Sequence, residues 1–412
     1  MAVRKLTLDN GLRVVAVHNP LSAMAVVDVL YDVGSRDESR RLTGIAHLFE
    51  HLMFGGSANV PSFDGELESA GGKSNAWTGL DFTNFYDILP ARNIATAFHL
   101  ESDRMLALDF KPETLAVQKG VVIEEFKQTC LNSPYGDLSH RLREAAYAAG
   151  HPYSWPTIGL TPDHIAAVTE DDVRAWFYAH YAPNNAILTV TSPLPAEEVF
   201  DLARLWFGDI PRRHIAPRRL PGAGFPAEGA TATVHGRAPQ PRIVVAYPMD
   251  PYGTPDYFAA DTLTDILAYG ASGRMQRRLV DGPLAGFFAG ADASIVGSEH
   301  PGLLLLNAMI TDNSNEACHR AAAMLREQFE ALARPGDITD AELERTLNNF
   351  EATFRMENVS AMARTFTEAT AEYHGEDPAE MIARRRTLTP ADLTGAAARI
   401  AAREPVVIIY KS

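Results

Sequence analysis

His47 and His51 stand four residues apart in the run Gly44-Ile-Ala-His-Leu-Phe-Glu-His-Leu-Met-Phe54. On a helix, that spacing projects both imidazoles from one face, where they can share a metal ion. Glu50 follows His47 by three residues and precedes His51 by one, at the edge of the same face. It can reach a water beside the metal without being a ligand. The apolar residues between them keep such a site dry and the imidazoles neutral.

The order H-x-x-E-H is that of the inverted zincins. A histidine pair bonded to backbone carbonyls in a core is the other arrangement open to this pentapeptide. Zinc held by two histidines needs a third protein ligand and an open fourth position. Val121-Val-Ile-Glu124-Glu125-Phe126 offers the third ligand on a second helix. Successive helical residues point about 100° apart, so one of the two glutamates faces the site. Gln118, Val122 and Glu125 share a stripe, which favours Glu125. Glu124 is then an ordinary solvated carboxylate, or the second choice.

The elements that must position these residues are legible as patterns. Leu6 to Val15 carries an Asn10-Gly11 turn between β-prone flanks, a hairpin signal. Met24–Val33 reads as a strand, Thr43–Phe54 as a helix closed by Gly55-Gly56, and Asn75–Leu89 as strand again. Asn93–Leu108 and Glu113–Thr129 read as helices, Asp171–Tyr181 as a helix and Ala186–Thr191 as a strand. In the second half, strands are expected at Arg242–Tyr247 and Gly302–Ile310, a helix at Tyr257–Tyr269, and long helices follow to Arg403. Residues 211–226 hold four prolines and four arginines without an apolar period, and read as a solvated linker. Thr169-Glu-Asp-Asp172-Val, a helix, Pro183 and Ala186-Ile-Leu-Thr-Val parallels Thr389-Pro-Ala-Asp392-Leu, a helix, Pro405 and Val406-Val-Ile-Ile-Tyr, about 220 residues on. That offset suggests a tandem duplication. The expected fold is α+β (α/β), with two similar domains, 1–210 and 227–412, each a sheet covered by helices.

Composition narrows the function. The 412 residues are 46% hydrophobic and 22% charged, ordinary for a globular protein, and the formal charge of -15 argues against binding nucleic acid. No apolar run approaches the ~18 residues of a spanning helix. Two cysteines, Cys130 and Cys318, make no disulfide framework. With no leader-like start, the expected location is cytoplasmic, or periplasmic if a signal peptide has been removed.

Taken together, the motifs resemble the M16 (pitrilysin or insulinase-like) zinc peptidases, in their short, mitochondrial-processing-peptidase-like bacterial branch. The resemblance runs through His47-Leu-Phe-Glu50-His51, Asn75-Ala-Trp-Thr78 with Asp81 and Thr83, and Leu100-Glu-Ser-Asp-Arg-Met105. It continues through Val122-Ile-Glu-Glu125, Pro134-Tyr-Gly136, His151-Pro-Tyr153 with Thr157-Ile-Gly159, and Tyr181-Ala-Pro-Asn-Asn-Ala186. It implies two tandem domains with mostly antiparallel sheets forming half of a clamshell. It also implies one zinc per chain on His47, His51 and Glu125, with Glu50 as the base. Asn75, Ala76, Trp77 and Thr78 would be the edge strand that receives a peptide by strand addition, Trp77 being read in itself as packing. Glu101, on an otherwise apolar helix stripe, either orients a ligand imidazole or forms a buried salt bridge to an arginine. His151 reads as structural.

Two departures from the family pattern stand out. Gln118 replaces a glutamate that many relatives carry two turns before the zinc-ligand glutamate. In the C-terminal half, active relatives present an Arg and, seven residues on, a Tyr that hold substrate and the tetrahedral oxyanion. Here Val280 and Phe287 occupy those places, and Arg274, Arg277 and Arg278 lie a turn or more away. The resemblance therefore implies a zinc endopeptidase for small unfolded peptides. It would be the catalytic subunit of a heterodimer whose homologous partner supplies the Arg/Tyr pair. A non-catalytic subunit and a self-sufficient homodimer are the alternatives.

Overall fold

The computed structural model describes residues 2–218, 224–225 and 229–412. The chain falls into two compact units, each drawing on both halves of the sequence. The first comprises Met1–Glu125, Thr157–Leu220 and Thr353–Met381, and the second Phe126–Pro156, Pro221–Ala352 and Ile382–Ser412.

The first unit is built on a six-stranded sheet. Its strands are β1 (Ala2–Thr7), β2 (Arg13–His18), β3 (Met24–Tyr31), β4 (Lys73–Thr78), β5 (Thr83–Pro90) and β6 (Ala186–Ser192), in the order β1-β2-β6-β3-β5-β4. The β1–β2 hairpin turns at Asn10-Gly11, where Gly11 takes φ 93°, a value that favours glycine. All pairings are antiparallel except β2 with β6. Four helices follow one another along the first third of the chain: α1 (Ile45–Leu52), α2 (Phe63–Ser69), α3 (Ile94–Leu106) and α4 (Pro112–Phe126).

The strands β2, β3 and β6 are buried on both faces. Val14, Ala16, Val29, Leu188 and Val190 join the main core with α1, α3 and the helix Ala196–Phe207. Their neighbours Val15, Val17, Leu30 and Ile187 form a second cluster with Ala369, on the helix Ala361–His374. This alternation follows from the two-residue period of a strand. The helix that covers the second face thus comes from the C-terminal part of the chain, and Thr365 on it donates to Thr191 of β6 at 2.7 Å.

The second unit repeats the design. Strands β7 (Thr231–His235), β8 (Arg242–Met249), β9 (Phe288–Val296), β10 (Gly302–Ile310) and β11 (Val406–Lys411) run in the order β7-β11-β8-β10-β9. β11 is parallel to β7 and antiparallel to β8, as β6 is parallel to β2 and antiparallel to β3. The two orders match strand for strand once β1 is set aside. The repeated Thr–Asp pairs do the same work in each unit: Thr169 and Thr389 each accept from the backbone N–H of Asp172 and Asp392 at 3.2 Å, capping equivalent helices. β7 and β9 are additions to the sequence expectation.

In the expected linker, residues 219–223 and 226 lie outside the described residues. Residues 211–218 have no regular structure, and two of their arginines are engaged. Arg213 donates to the carbonyls of Phe177 and Tyr181 at 3.2 and 2.8 Å, and Arg218 bonds Asp32 and Asp37. Among the described residues, no helix is long and apolar enough to cross a membrane.

Candidate metal centre

α1 buries Ile45, Leu48, Phe49 and Leu52 in the core, which leaves His47, Glu50 and His51 together on its other side, half-buried. The imidazole centroids are 4.9 Å apart, with the rings edge to face at 88°. α4 delivers Glu125 to the same point. Its Oε2 lies 3.8 Å from Nε2 of His47 and 3.6 Å from Nε2 of His51. Glu124 is exposed on the same helix. His47, His51 and Glu125 offer three donor atoms all within 4.8 Å of one another, the one such group among the described residues. Ligands around a tetrahedral zinc at ~2.0–2.2 Å sit roughly 3.3–3.6 Å apart, so the donor set fits that ion with a small contraction. Burial, reinforced by the neighbouring His51 and opposed by Glu125, holds the His47 imidazole below its ordinary pKa, in the neutral form a metal requires.

Glu50 does not join the triad. Its Oε2 accepts a hydrogen bond from Oγ1 of Thr78 at 2.6 Å. Burial pushes its carboxyl above the usual range, while the Thr78 bond and His51 pull the other way. A carboxylate tuned upward beside a metal site is suited to taking and returning a proton near neutral pH.

Thr78 ends β4, which stands at the edge of its sheet and pairs with β5 alone among the described strands. Side chains alternate along it, so Thr78 and Ala76 face α1 while Trp77 faces away. Trp77 meets the ring of Phe366 on the helix Ala361–His374 edge-on, with centroids 4.8 Å apart, and remains half-exposed. Asn75 is exposed, and its Oδ1 accepts from the N–H of Ala76 at 2.9 Å. Gln118 is half-buried on α4, two turns before Glu125.

Glu101 orients no imidazole. It is fully buried and paired with Arg104, whose Nε donates to its Oε2 at 2.9 Å and whose Nη2 bonds its other oxygen. Nδ1 of His47 is buried and has no hydrogen-bond partner among the described residues. An arginine three residues along the same helix turn is nearer to hand than a ring on α1, and the salt-bridge alternative holds. His151 is also structural: it stacks on Tyr147, its Nδ1 accepts from the N–H of Tyr153 at 3.0 Å, and burial lowers its pKa to about 4.

In the second unit, Val280 and Phe287 lean on the apolar core. Arg274 is buried, bonding Glu342 at 2.9 and 2.5 Å and pairing with Asp337, so its charge is already used. Arg277 and Arg278 are exposed.

Residues 13–159 match the family model described as insulinase (peptidase family M16), and residues 167–350 the model described as peptidase M16 inactive domain. The chain is 31% identical over 378 residues to the zinc protease PqqE of Helicobacter pylori, covering 88% of this chain and 82% of that one. The chain belongs to peptidase family M16. A crystal structure of a protease from Helicobacter pylori, 28% identical, superposes with a TM-score of 0.89 over 100% of this chain and 99% of that one. The periplasmic protease PqqL of Escherichia coli, 19% identical, shares the fold with a TM-score of 0.79, this chain covering 47% of its length. Within this M16 chain, His47, His51, Glu125 and Glu50 lie in the segment matched by the insulinase model. Val280 and Phe287 lie in the segment matched by the inactive-domain model.

Proposed function

We propose that this M16 chain is a zinc-dependent endopeptidase. His47, His51 and Glu125 would hold the metal, and Glu50 would be the general base. The observation that carries the reading is the convergence of three metal-competent donors beside a half-buried carboxylate that is hydrogen-bonded to an edge strand. Bound zinc supplies Lewis acidity, polarising a peptide carbonyl and acidifying water. β4 offers backbone hydrogen bonds to an extended peptide and holds it in line with the site, with Asn75, Ala76, Trp77 and Thr78 beside it. Glu50 takes the proton from the attacking water at its carboxylate and delivers it to the nitrogen of the leaving amine. Strand addition requires an unfolded segment, so small unstructured peptides are the substrate class.

The second element of the proposal is a partner. Val280 and Phe287 offer no charge and no O–H to a tetrahedral oxyanion, and Arg274 is committed to Glu342 and Asp337. Losing one such donor costs ~10²–10³ in rate. A homologous M16 subunit bearing an Arg/Tyr pair would restore it. That PqqL is about twice the length of the part this chain matches supports a working unit of two such halves.

Hydrolysis of a peptide pool by the purified chain, alone and with a homologous Arg/Tyr-bearing subunit, tests both elements. Cleavage that requires the pair, is lost with 1,10-phenanthroline and returns with zinc is the expected result. Full activity of the single chain would remove the partner and leave the zinc chemistry. Zinc-loaded chains that cleave nothing in any mixture would favour a non-catalytic subunit.

A further inference from the structure

We propose that Glu38 is a positioning residue that sets the direction and the electrostatics of the metal helix. The inference rests on reading His47, His51 and Glu125 as metal ligands. α1 has only eight residues, and isolated helices shorter than ~12–15 residues are marginal. Its first turn presents backbone N–H groups with no partner inside the helix. Gly44, at its N-cap, has no side chain to offer and takes φ 88°. A Cβ there would meet Cδ1 of Ile165 at 2.5 Å and the carbonyl oxygen of Ile158 at 2.8 Å, so no capping side chain fits.

Glu38, six residues upstream and buried, fills the role from outside the helix. Its Oε2 accepts from the N–H of Gly44 and its Oε1 from the N–H of Ala46, both at 2.9 Å. Accepting on both oxygens is the behaviour of an ionised carboxylate. Ala46 immediately precedes His47, so the bond to its N–H fixes the roll of the turn that aims the first imidazole. His51 and Glu50 follow by helix geometry. The charge matters as well. His47 is the third residue of α1, so a divalent cation on its imidazole lies near the positive end of the helix dipole, and a carboxylate on those N–H groups offsets it.

The segment that carries Glu38 is anchored from two sides within the first unit. Arg36, buried two residues before it, bonds Asp32 at 2.7 Å and Asp81 at 2.9 Å. Asp81 lies in the turn between β4 and β5, three residues beyond Thr78. The hairpin that orients Glu50 through Thr78 therefore also anchors, through Arg36, the segment that caps α1. Thr43, next to Gly44, accepts from the N–H of Leu160 at 2.8 Å and bonds Nδ1 of His164 at 2.8 Å.

The test compares E38Q, E38A and wild type, with T169A as a matched control, since Thr169 caps a helix that carries no metal ligand. The dissociation constant for zinc is measured on the full chain by chelator competition, alongside the melting temperature of the metal-free protein. The visible spectrum of the cobalt-substituted protein reports ligand geometry. E38Q keeps the volume of the side chain and removes its charge, and serves if E38A does not fold. Both Glu38 variants should bind zinc about tenfold more weakly and shift the cobalt spectrum, whereas T169A should lower the melting temperature and leave zinc affinity within about twofold. Glu38 variants that melt earlier yet bind zinc as wild type does would overturn the inference and leave the peptidase reading intact. A wild-type chain that binds no zinc would overturn both.

Discussion

Thr78 and Glu50 are 28 residues apart in sequence and joined by a 2.6 Å hydrogen bond. The edge strand that would receive a peptide and the helix that carries the proposed metal ligands thus meet at the proposed base. In the proposed mechanism, one hydroxyl couples substrate placement to proton transfer.

T78A should test that coupling. A hydrogen bond to the ionised form favours it, so the Thr78 bond holds the Glu50 carboxyl down against the upward push of burial. Removing it moves the Glu50 pKa up. The base acts ionised, so the acidic limb of the pH profile of kcat/KM should shift to higher pH. The plateau rate should fall roughly tenfold, the scale of one charge-assisted hydrogen bond. An unchanged acidic limb would separate Glu50 from that limb.

Phe366 supports the same strand from the other face. It meets Trp77 at 4.8 Å and Tyr86 at 5.1 Å between ring centroids. F366A removes a half-buried aromatic contact and should cost ~1–3 kcal/mol by denaturant unfolding. Because Trp77 adjoins Thr78, KM should rise while zinc content stays at the wild-type level. A destabilised variant with wild-type KM would show that this packing serves the fold alone.

Asp87 is fully buried beside the Glu101–Arg104 pair, and Asp28 is fully buried on the opposite face of the sheet, where Asn84 donates to it. Burial raises both carboxyls well above their ordinary pKa, the charge of Glu101 adds to it, and for Asp28 the Asn84 hydrogen bond opposes. A folded-state pKa above the unfolded value gives stability that is fully present below about pH 4 and lost as pH rises. D28N keeps the shape without the titration. Its melting temperature should gain on wild type by roughly 2–4 °C or more between pH 5 and pH 8, measured by calorimetry. A gap independent of pH would mean that Asp28 does not carry the proton.

Much of this was legible in the sequence, and particular residues show where legibility stopped. The H-x-x-E-H run and the stripe ending at Glu125 are local periodic patterns, and the structure brings their side chains together. The Thr169/Asp172 and Thr389/Asp392 repeats announce the matching strand orders, because a capping box is a contact within four residues. β9 is hidden by its Ala, Gly, Ser and Asp content, a weak strand signal at the edge of a sheet. Glu101 was ambiguous between a ring and a salt bridge, although Arg104, three residues on, held the signal that decides it. Glu38 carries no periodic signature, since it caps a helix from six residues upstream across an irregular turn. The helix Ala361–His374 is amphipathic in sequence, but its placement on the first sheet depends on contacts more than 170 residues away, as between Thr365 and Thr191.

The most direct measurement is zinc content, by mass spectrometry of the metal, paired with peptide hydrolysis for wild type, E50Q and E125Q under the conditions that give cleavage. Wild type and E50Q should carry close to one zinc per chain and E125Q far less, with hydrolysis confined to wild type. An E125Q chain that keeps its zinc, or an E50Q chain that cleaves at the wild-type rate, would contradict the assignment of ligand and base.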